Sequence, residues 1–425
     1  MAQVTFPYDN MKTLTIPEEN LLGIFLPSVV EVKDDEETLI DEAFLNPVGS
    51  KPLSMAVGRL KNVLIVVDDY TRTTSVGKIL PRLMGELHKG GISPYNIRIL
   101  IALGTHRPMT NDEMETKLGR EICRQYVVLN HEWWDKDRLV YLGDTAGGTP
   151  VAVNRLVQWA DFTIGIGQIV PHRVSGFSGG GNIIQPGICG EATTGKTHWL
   201  AAMFSGREIL GKAENPVKKE IEEVALKAGL KWIINTIQDG NGNLVATVAG
   251  DPLMAYRVGA KKSAQVYSAQ LPGEADIVIA DSHPFDSELW LAAKGIYASE
   301  LAVKQGGVVI LVSPCTEGVS PSHPEVLEEG YQTFREIDEK VRSGIIKKLT
   351  AAAHLVHVGR VIRERAKGIL VSRGITRTET EKLGLLYAGE PREALDIALS
   401  TTGMHAKVAI LQRGGEILPV IREAP

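Results

Sequence analysis

Aspartate, arginine and histidine stand in this chain just after apolar runs, a placement suited to moving protons beside an anionic substrate. Asp68-Asp69-Tyr70-Thr71-Arg72 follows the apolar residues 62–67, and Gly104-Thr105-His106-Arg107-Pro108 follows 97–103. Pro171-His172 ends a third apolar run, 161–170, and leads into Gly176-Phe177-Ser178-Gly179-Gly180-Gly181-Asn182. A neutral imidazole takes or gives a proton near pH 7. A guanidinium grips a carboxylate through two parallel hydrogen bonds. Closely spaced glycines leave backbone N–H groups bare and let the chain approach a bulky anion.

The three apolar runs read as buried strands. If they lie parallel, Asp69, Thr71, Arg72, His106 and His172 emerge together at the strands' C-terminal ends, where open α/β sheets hold their ligands. Strand-then-helix segments continue along the chain. They predict an α/β protein of two domains, each built on a mainly parallel sheet flanked by helices, with the active site in the interdomain cleft. The break at Leu271-Pro272-Gly273 divides a catalytic and cofactor-binding domain, 1–271, from a C-terminal α/β domain, 272–425. Within the first, 231–237 and 243–248 read as a hairpin turning at Asp239-Gly240-Asn241-Gly242. Asp251-Pro252 reads as the start of a helix reaching about 270. In the second, strands are expected at 276–281, 307–312, 368–372 and 406–411.

Bulk properties narrow the class. A net charge of -5 and a pI near 6.1 carry no basic signature for nucleic acid. Mean hydropathy of -0.02, with no apolar run near the roughly 18 residues that span a bilayer, argues against a membrane protein. The first residues show no export signal, and Cys123, Cys189 and Cys315 form no metal-binding spacing, so a cytoplasmic location with reduced thiols is expected. One motif points elsewhere: Gly190-Glu191-Ala192-Thr193-Thr194-Gly195-Lys196-Thr197 fits the phosphate-cradling pattern GxxxxGK[ST]. The stretch before it is broken by Pro186 and Gly187, where that motif needs a buried strand.

Taken together, Asp69-x-Thr71-Arg72, residues 104–108, His172 with Gly176-Phe177-Ser178-Gly179-Gly180, His198 and Lys294-Gly295 resemble the nickel-dependent lactate racemase family in order and spacing. The resemblance implies a racemase or epimerase of a small 2-hydroxyacid that uses a nickel-pincer nucleotide, supplied by cofactor-biosynthesis proteins. It implies that His198 ligates nickel, that His106 and His172 are the acid and base, and that Arg72 and Lys294 hold the carboxylate and developing charge. Asp69, Thr71, Ser178, Gly179, Gly180 and Asn182 fall at cofactor-contacting positions. The resemblance further implies that hydride passes to the cofactor and returns on the other face of a 2-keto acid.

Four positions depart from lactate racemase, one of them Gly181, where the family member has an arginine. The lysine that tethers the cofactor is Asn182 here, whose amide is not nucleophilic, so noncovalent binding is expected. A substrate-contacting glutamine is Leu291, and an active-site tryptophan aligns with His354, so the substrate is expected to be lactate-like or larger. Two other readings stand beside this one: a P-loop NTPase or kinase using residues 190–197, and a non-catalytic binder of the cofactor.

Overall fold

The computed structural model describes residues 1–9, 11, 13–32 and 34–422. The chain divides into two compact units, one of Val29–Thr197 with Lys212–Val266, the other of Met1–Ser28, His198–Gly211 and Tyr267–Pro425. The last crossing, after Val266, precedes the expected boundary at 271/272 by a few residues, and two earlier segments group with the C-terminal residues. None of the described helices is long and apolar enough to cross a membrane.

In the first unit, β1 (Val63–Asp68), β2 (Ile97–Ala102), β3 (Val127–Asn130), β4 (Phe162–Gln168), β5 (Leu230–Gln238) and β6 (Leu244–Gly250) form one sheet in the order β6-β5-β4-β1-β2-β3. All neighbours are parallel except the β5–β6 hairpin. Every residue of β1 and β4 is buried, which explains why these strands read as continuous apolar runs rather than alternating ones. The chain builds outward from β1 through β2 to β3, then returns to lay β4 on the other side of β1. The order therefore reverses between β1 and β4. Helix α1 (Val76–Lys89) buries Val76, Ile79, Leu80, Leu83 and Leu87, a helical stripe that joins Ile65, Val67, Ile99 and Ile166 in the core.

In the second unit, β7 (Ala275–Asp281), β8 (Val303–Val312), β9 (Lys367–Val371), β10 (Leu386–Ala388) and β11 (Val408–Leu411) are joined by the N-terminal strand Leu21–Phe25. The order is β10-β9-β8-β7-β11-(Leu21–Phe25), parallel throughout. The helix expected from 251 to about 270 runs over Met254–Tyr267. Asp251 accepts hydrogen bonds from the N–H groups of Leu253 and Met254, which fixes its start. Residues Ser268–Leu271 instead form a strand parallel to Leu418–Ile421, because an available strand edge overrides local helical pattern.

Candidate active site

The loop after β1 is wound around Asp69. Its Oδ1 accepts from the Thr71 N–H at 3.1 Å and the Thr71 hydroxyl at 2.6 Å, an Asx turn that aims the other carboxylate oxygen outward. That oxygen lies 2.6 Å from Nδ1 of His106, on the loop after β2. Asp69 is buried, and burial alone would raise its pKa. The hydrogen bond from His106, the His106 and Arg72 charges and the Thr71 hydroxyl outweigh this and hold the carboxyl below its ordinary value. An ionised Asp69 accepts from a proton-bearing Nδ1, which leaves the ring's lone pair on Nε2 of His106. The His106 side chain is 31% exposed, enough to meet a substrate.

Buried polar groups at neighbouring strand ends pin this loop. Gln168, ending β4, accepts from the Thr73 N–H and hydroxyl, each at 3.1 Å. Gln238, ending β5, donates to the Thr73 carbonyl at 3.0 Å. Lys117 donates to the Arg72 carbonyl at 2.6 Å and pairs with Asp68 at 3.1 Å. Burial raises the Asp68 pKa, and the Lys117 charge opposes that rise. Beside the loop and the first turn of α1 opens a pocket of about 560 Å³, lined by the cations of Arg72, Lys78 and Lys117, the hydroxyls of Thr73, Thr74 and Ser75, and the carboxylates of Asp112 and Glu113.

His172 sits on a two-residue strand, Pro171–His172, paired antiparallel with Gly176–Phe177. The glycines that follow are filled by the protein itself. A Cβ on Gly176, at φ +80°, would lie 1.9 Å from the Lys212 carbonyl oxygen, and one on Gly179 would lie 2.5 Å from Ile169. The Gly180 N–H donates to Asn235 at 2.8 Å, and the Ser178 hydroxyl donates to the Gln168 carbonyl at 2.8 Å. Ser178, Gly179 and Gly180 are therefore buried and engaged with the protein's own groups.

Below this loop lies a lysine that the sequence reading missed. Lys218 is fully buried; its ammonium donates to Asn182 Oδ1 at 2.7 Å, to the Gly179 carbonyl at 3.0 Å and to the Phe177 carbonyl at 3.3 Å, and sits 3.5 Å over the Tyr256 ring. Burial pushes this amine well below its usual pKa, while Glu222 and Glu214 favour the charged form. Three oxygens surround the amine within hydrogen-bond distance.

The remaining expected residues group with the second unit. His198 is half-buried on the helix Glu191–Ala202. Lys294 and Leu291 stand one turn apart on Leu289–Glu300, and the Lys294 ammonium lies 3.0 Å from the Phe285 ring centre. His354 is buried, its Nδ1 3.0 Å from the Tyr297 hydroxyl and its Nε2 3.3 Å from the Tyr331 hydroxyl. Its ring stacks on Trp290 at 4.1 Å. Burial, then the His323 charge, lowers its pKa to about 3. The residues matching GxxxxGK[ST] do not form a phosphate cradle. The helix begins at Glu191, the Thr194 N–H already bonds the Gly190 carbonyl, and Lys196 is an exposed helix residue.

The strand order reverses between β1 and β4, the place where open α/β sheets hold their ligands, and Asp69–His106 and His172 stand on loops that follow strands of this sheet. Residues 8–211 match the lactate racemase N-terminal domain and residues 271–418 the lactate racemase C-terminal domain. The lactate racemase of Thermoanaerobacterium thermosaccharolyticum is 31% identical over 75% of this chain and 76% of its own length, and that of Lactiplantibacillus plantarum 30% identical over the same shares. The structure of the lactate racemase apoprotein from Thermoanaerobacterium thermosaccharolyticum superposes with a TM-score of 0.89 at 26% identity, covering 99% of this chain and all of that one. A Thermotoga maritima protein shares the fold, with a TM-score of 0.73 at 24% identity over 93% of this chain and all of its own. The chain belongs to the lactate racemase family and is a racemase, an isomerase.

Proposed function

We propose that this racemase inverts a small 2-hydroxyacid, lactate-like or larger, using a noncovalently held nickel-pincer nucleotide. The observation that carries the reading is the placement of His106 and His172 on loops from strands flanking β1, with Asp69 and Arg72 on the loop of β1 itself. The residues present fit the nucleotide. Among the described residues there is no group of three or more His, Cys, Asp or Glu that could hold a metal ion. In this reading His198 would hold the nickel of such a cofactor through its imidazole. Arg72, Lys78 and the hydroxyls of Thr73, Thr74 and Ser75 at the start of α1 offer donors to its phosphate, in a pocket that Asp112 and Glu113 also line. Asn182 offers no nucleophilic amine, and the amine touching it, Lys218, is buried and occupied by three oxygens.

When bound, the nucleotide supplies an acceptor for the substrate's α-hydrogen as hydride. Arg72 pairs with the substrate carboxylate, and Lys294 carries a second positive charge for the oxygen developing at C2. His106 takes the hydroxyl proton through Nε2, and Asp69 stabilises the imidazolium that forms. His172 serves the opposite enantiomer in the same way. Two bases are needed because inversion presents the hydroxyl on opposite sides of the planar keto acid.

The test uses protein made alongside the family's cofactor-building enzymes with nickel. A panel of enantiopure 2-hydroxyacids is followed by chiral chromatography. His106→Ala and His172→Ala should retain nickel and slow inversion by roughly 10²–10⁴-fold. Retained nickel with no inversion of any hydroxyacid by the wild type would point to a non-catalytic binder.

A further inference from the structure

We infer that the face of the Phe285 ring holds the ammonium of Lys294, making Phe285 a positioning residue for the charge that meets the oxygen developing at C2. The inference rests on that reading of Lys294, while the contact itself is read from geometry alone. The Lys294 ammonium lies 3.0 Å from the Phe285 ring centre. At that distance the cation sits against the negative face of the ring's quadrupole, and water is kept from that side. A carboxylate in the same place would also hold the ammonium, but it would cancel the charge. A ring face attracts the cation and leaves its full charge for a substrate oxygen. That is the use a transition state with a developing oxyanion has for a lysine.

The ring is itself fixed by the loops around it. Phe285 is buried on the loop after β7, and its N–H donates to the Ser282 carbonyl at 2.8 Å. The Asp286 carbonyl, one residue on, accepts from the Cys315 N–H at 3.0 Å, which ties this loop to the one after β8. The loop after β11 closes on the ring as well. A Cβ on Gly415 would lie 2.5 Å from a Phe285 ring carbon, and one on Gly414 would lie 2.2 Å from the Asp281 carbonyl oxygen. Asp281, the last residue of β7, accepts from the Gly414 N–H at 3.3 Å and the His283 N–H at 3.1 Å, joining the two loops. The strand order of this second sheet reverses between β7 and β11, so Phe285 stands where such sheets hold their ligands. Lys294 reaches it from the helix Leu289–Glu300, every residue of which but Trp290, Leu291 and Lys294 is buried.

Nickel-loaded full-length enzyme is made with Phe285 replaced by mono-, di- and trifluorophenylalanine, which weaken the ring's negative face stepwise at nearly constant volume. Inversion is followed on the 2-hydroxyacid turned over fastest in the panel above. The kcat should fall with each fluorine, by roughly fivefold to thirtyfold across the series with little change in KM, because the charge is needed most in the transition state. A role in packing alone would leave the series flat. Two further readouts do not depend on turnover. In protein labelled with ¹³C at the lysine Cε, the Lys294 methylene signal, assigned by its loss in Lys294→Met, should be shifted upfield by the ring. It should return to the ordinary lysine position in Phe285→Leu. The loss of stability that fluorination causes in urea unfolding should vanish in the Lys294→Met background, as a coupled pair requires. A wild-type Lys294 signal at the ordinary position, or a flat series in an enzyme that Lys294→Met inactivates, overturns the inference. If the ring shift and the coupling are present while Lys294→Met inverts substrate normally, the contact stands and the reading of Lys294 fails.

Discussion

Replacing His354 by glutamine should remove a defined part of the protein's acid sensitivity. His354 lies in a stack with Trp290 and between the Tyr297 and Tyr331 hydroxyls, and burial lowers its pKa from 6.5 to about 3. In the unfolded chain the ring protonates below about pH 6.5, while in the folded protein it stays neutral until about pH 3. The unfolded state thus gains protons that the folded state refuses, and stability falls as pH drops through this window. At pH 4.5 the unfolded ring is about two pH units past its midpoint, which at about 1.36 kcal/mol per unit costs about 3 kcal/mol. At pH 7.5 the cost is near zero. Urea unfolding at the two pH values, read by hydrogen exchange of peptides covering Leu349–Gly359, measures the loss. The wild type should lose about 3 kcal/mol more than His354→Gln between pH 7.5 and 4.5. An equal loss in both would show that His354 titrates normally and is not the buried, neutral core residue described above. A titrating His354 would instead suit a role in an open substrate pocket.

Other outcomes follow from single contacts. Gly176→Ala places a Cβ 1.9 Å from the Lys212 carbonyl at a φ of +80°, so it should lower stability by roughly 2 kcal/mol or more in thermal melts, displacing His172 with its strand partner. His198→Ala should reduce nickel per chain in metal analysis, and denaturing mass spectrometry of the wild type should find no mass added to the polypeptide. Lys196→Ala should leave inversion nearly unchanged, with no magnesium-dependent ATP hydrolysis in either protein, because Lys196 is an exposed residue inside a helix.

The three strand–loop clusters were readable because each apolar run ends abruptly in polar residues, and buried parallel strands have no other way to end. Their adjacency was only conditional in the sequence; the structure lays β4, β1 and β2 side by side. Lys218 was hidden because Lys218 and Lys219 are neighbours on one helix, and only tertiary packing buries the first and exposes the second. Gln168 and Gln238 were hidden for a similar reason, as a glutamine at a strand end gives no sign of which distant loop it will hold. The glycine run was visible as a close approach, but composition cannot say whether a ligand or the protein's own Lys212 carbonyl and Tyr256 ring fills the space. The grouping of Met1–Ser28 with the C-terminal unit depends on Leu21–Phe25 pairing with β11, a contact almost the whole chain apart, which no local pattern encodes.

The central claim, inversion of a 2-hydroxyacid by hydride removal and return, is tested most directly with substrate carrying deuterium at the α-carbon. Nickel-loaded enzyme is given one labelled enantiomer in ordinary water, and both enantiomers are separated and weighed by mass spectrometry. The account predicts that the opposite enantiomer appears with its deuterium retained, and with a primary isotope effect where that step limits the rate. Rapid washout of the label into water would contradict it, since that is the signature of α-proton abstraction.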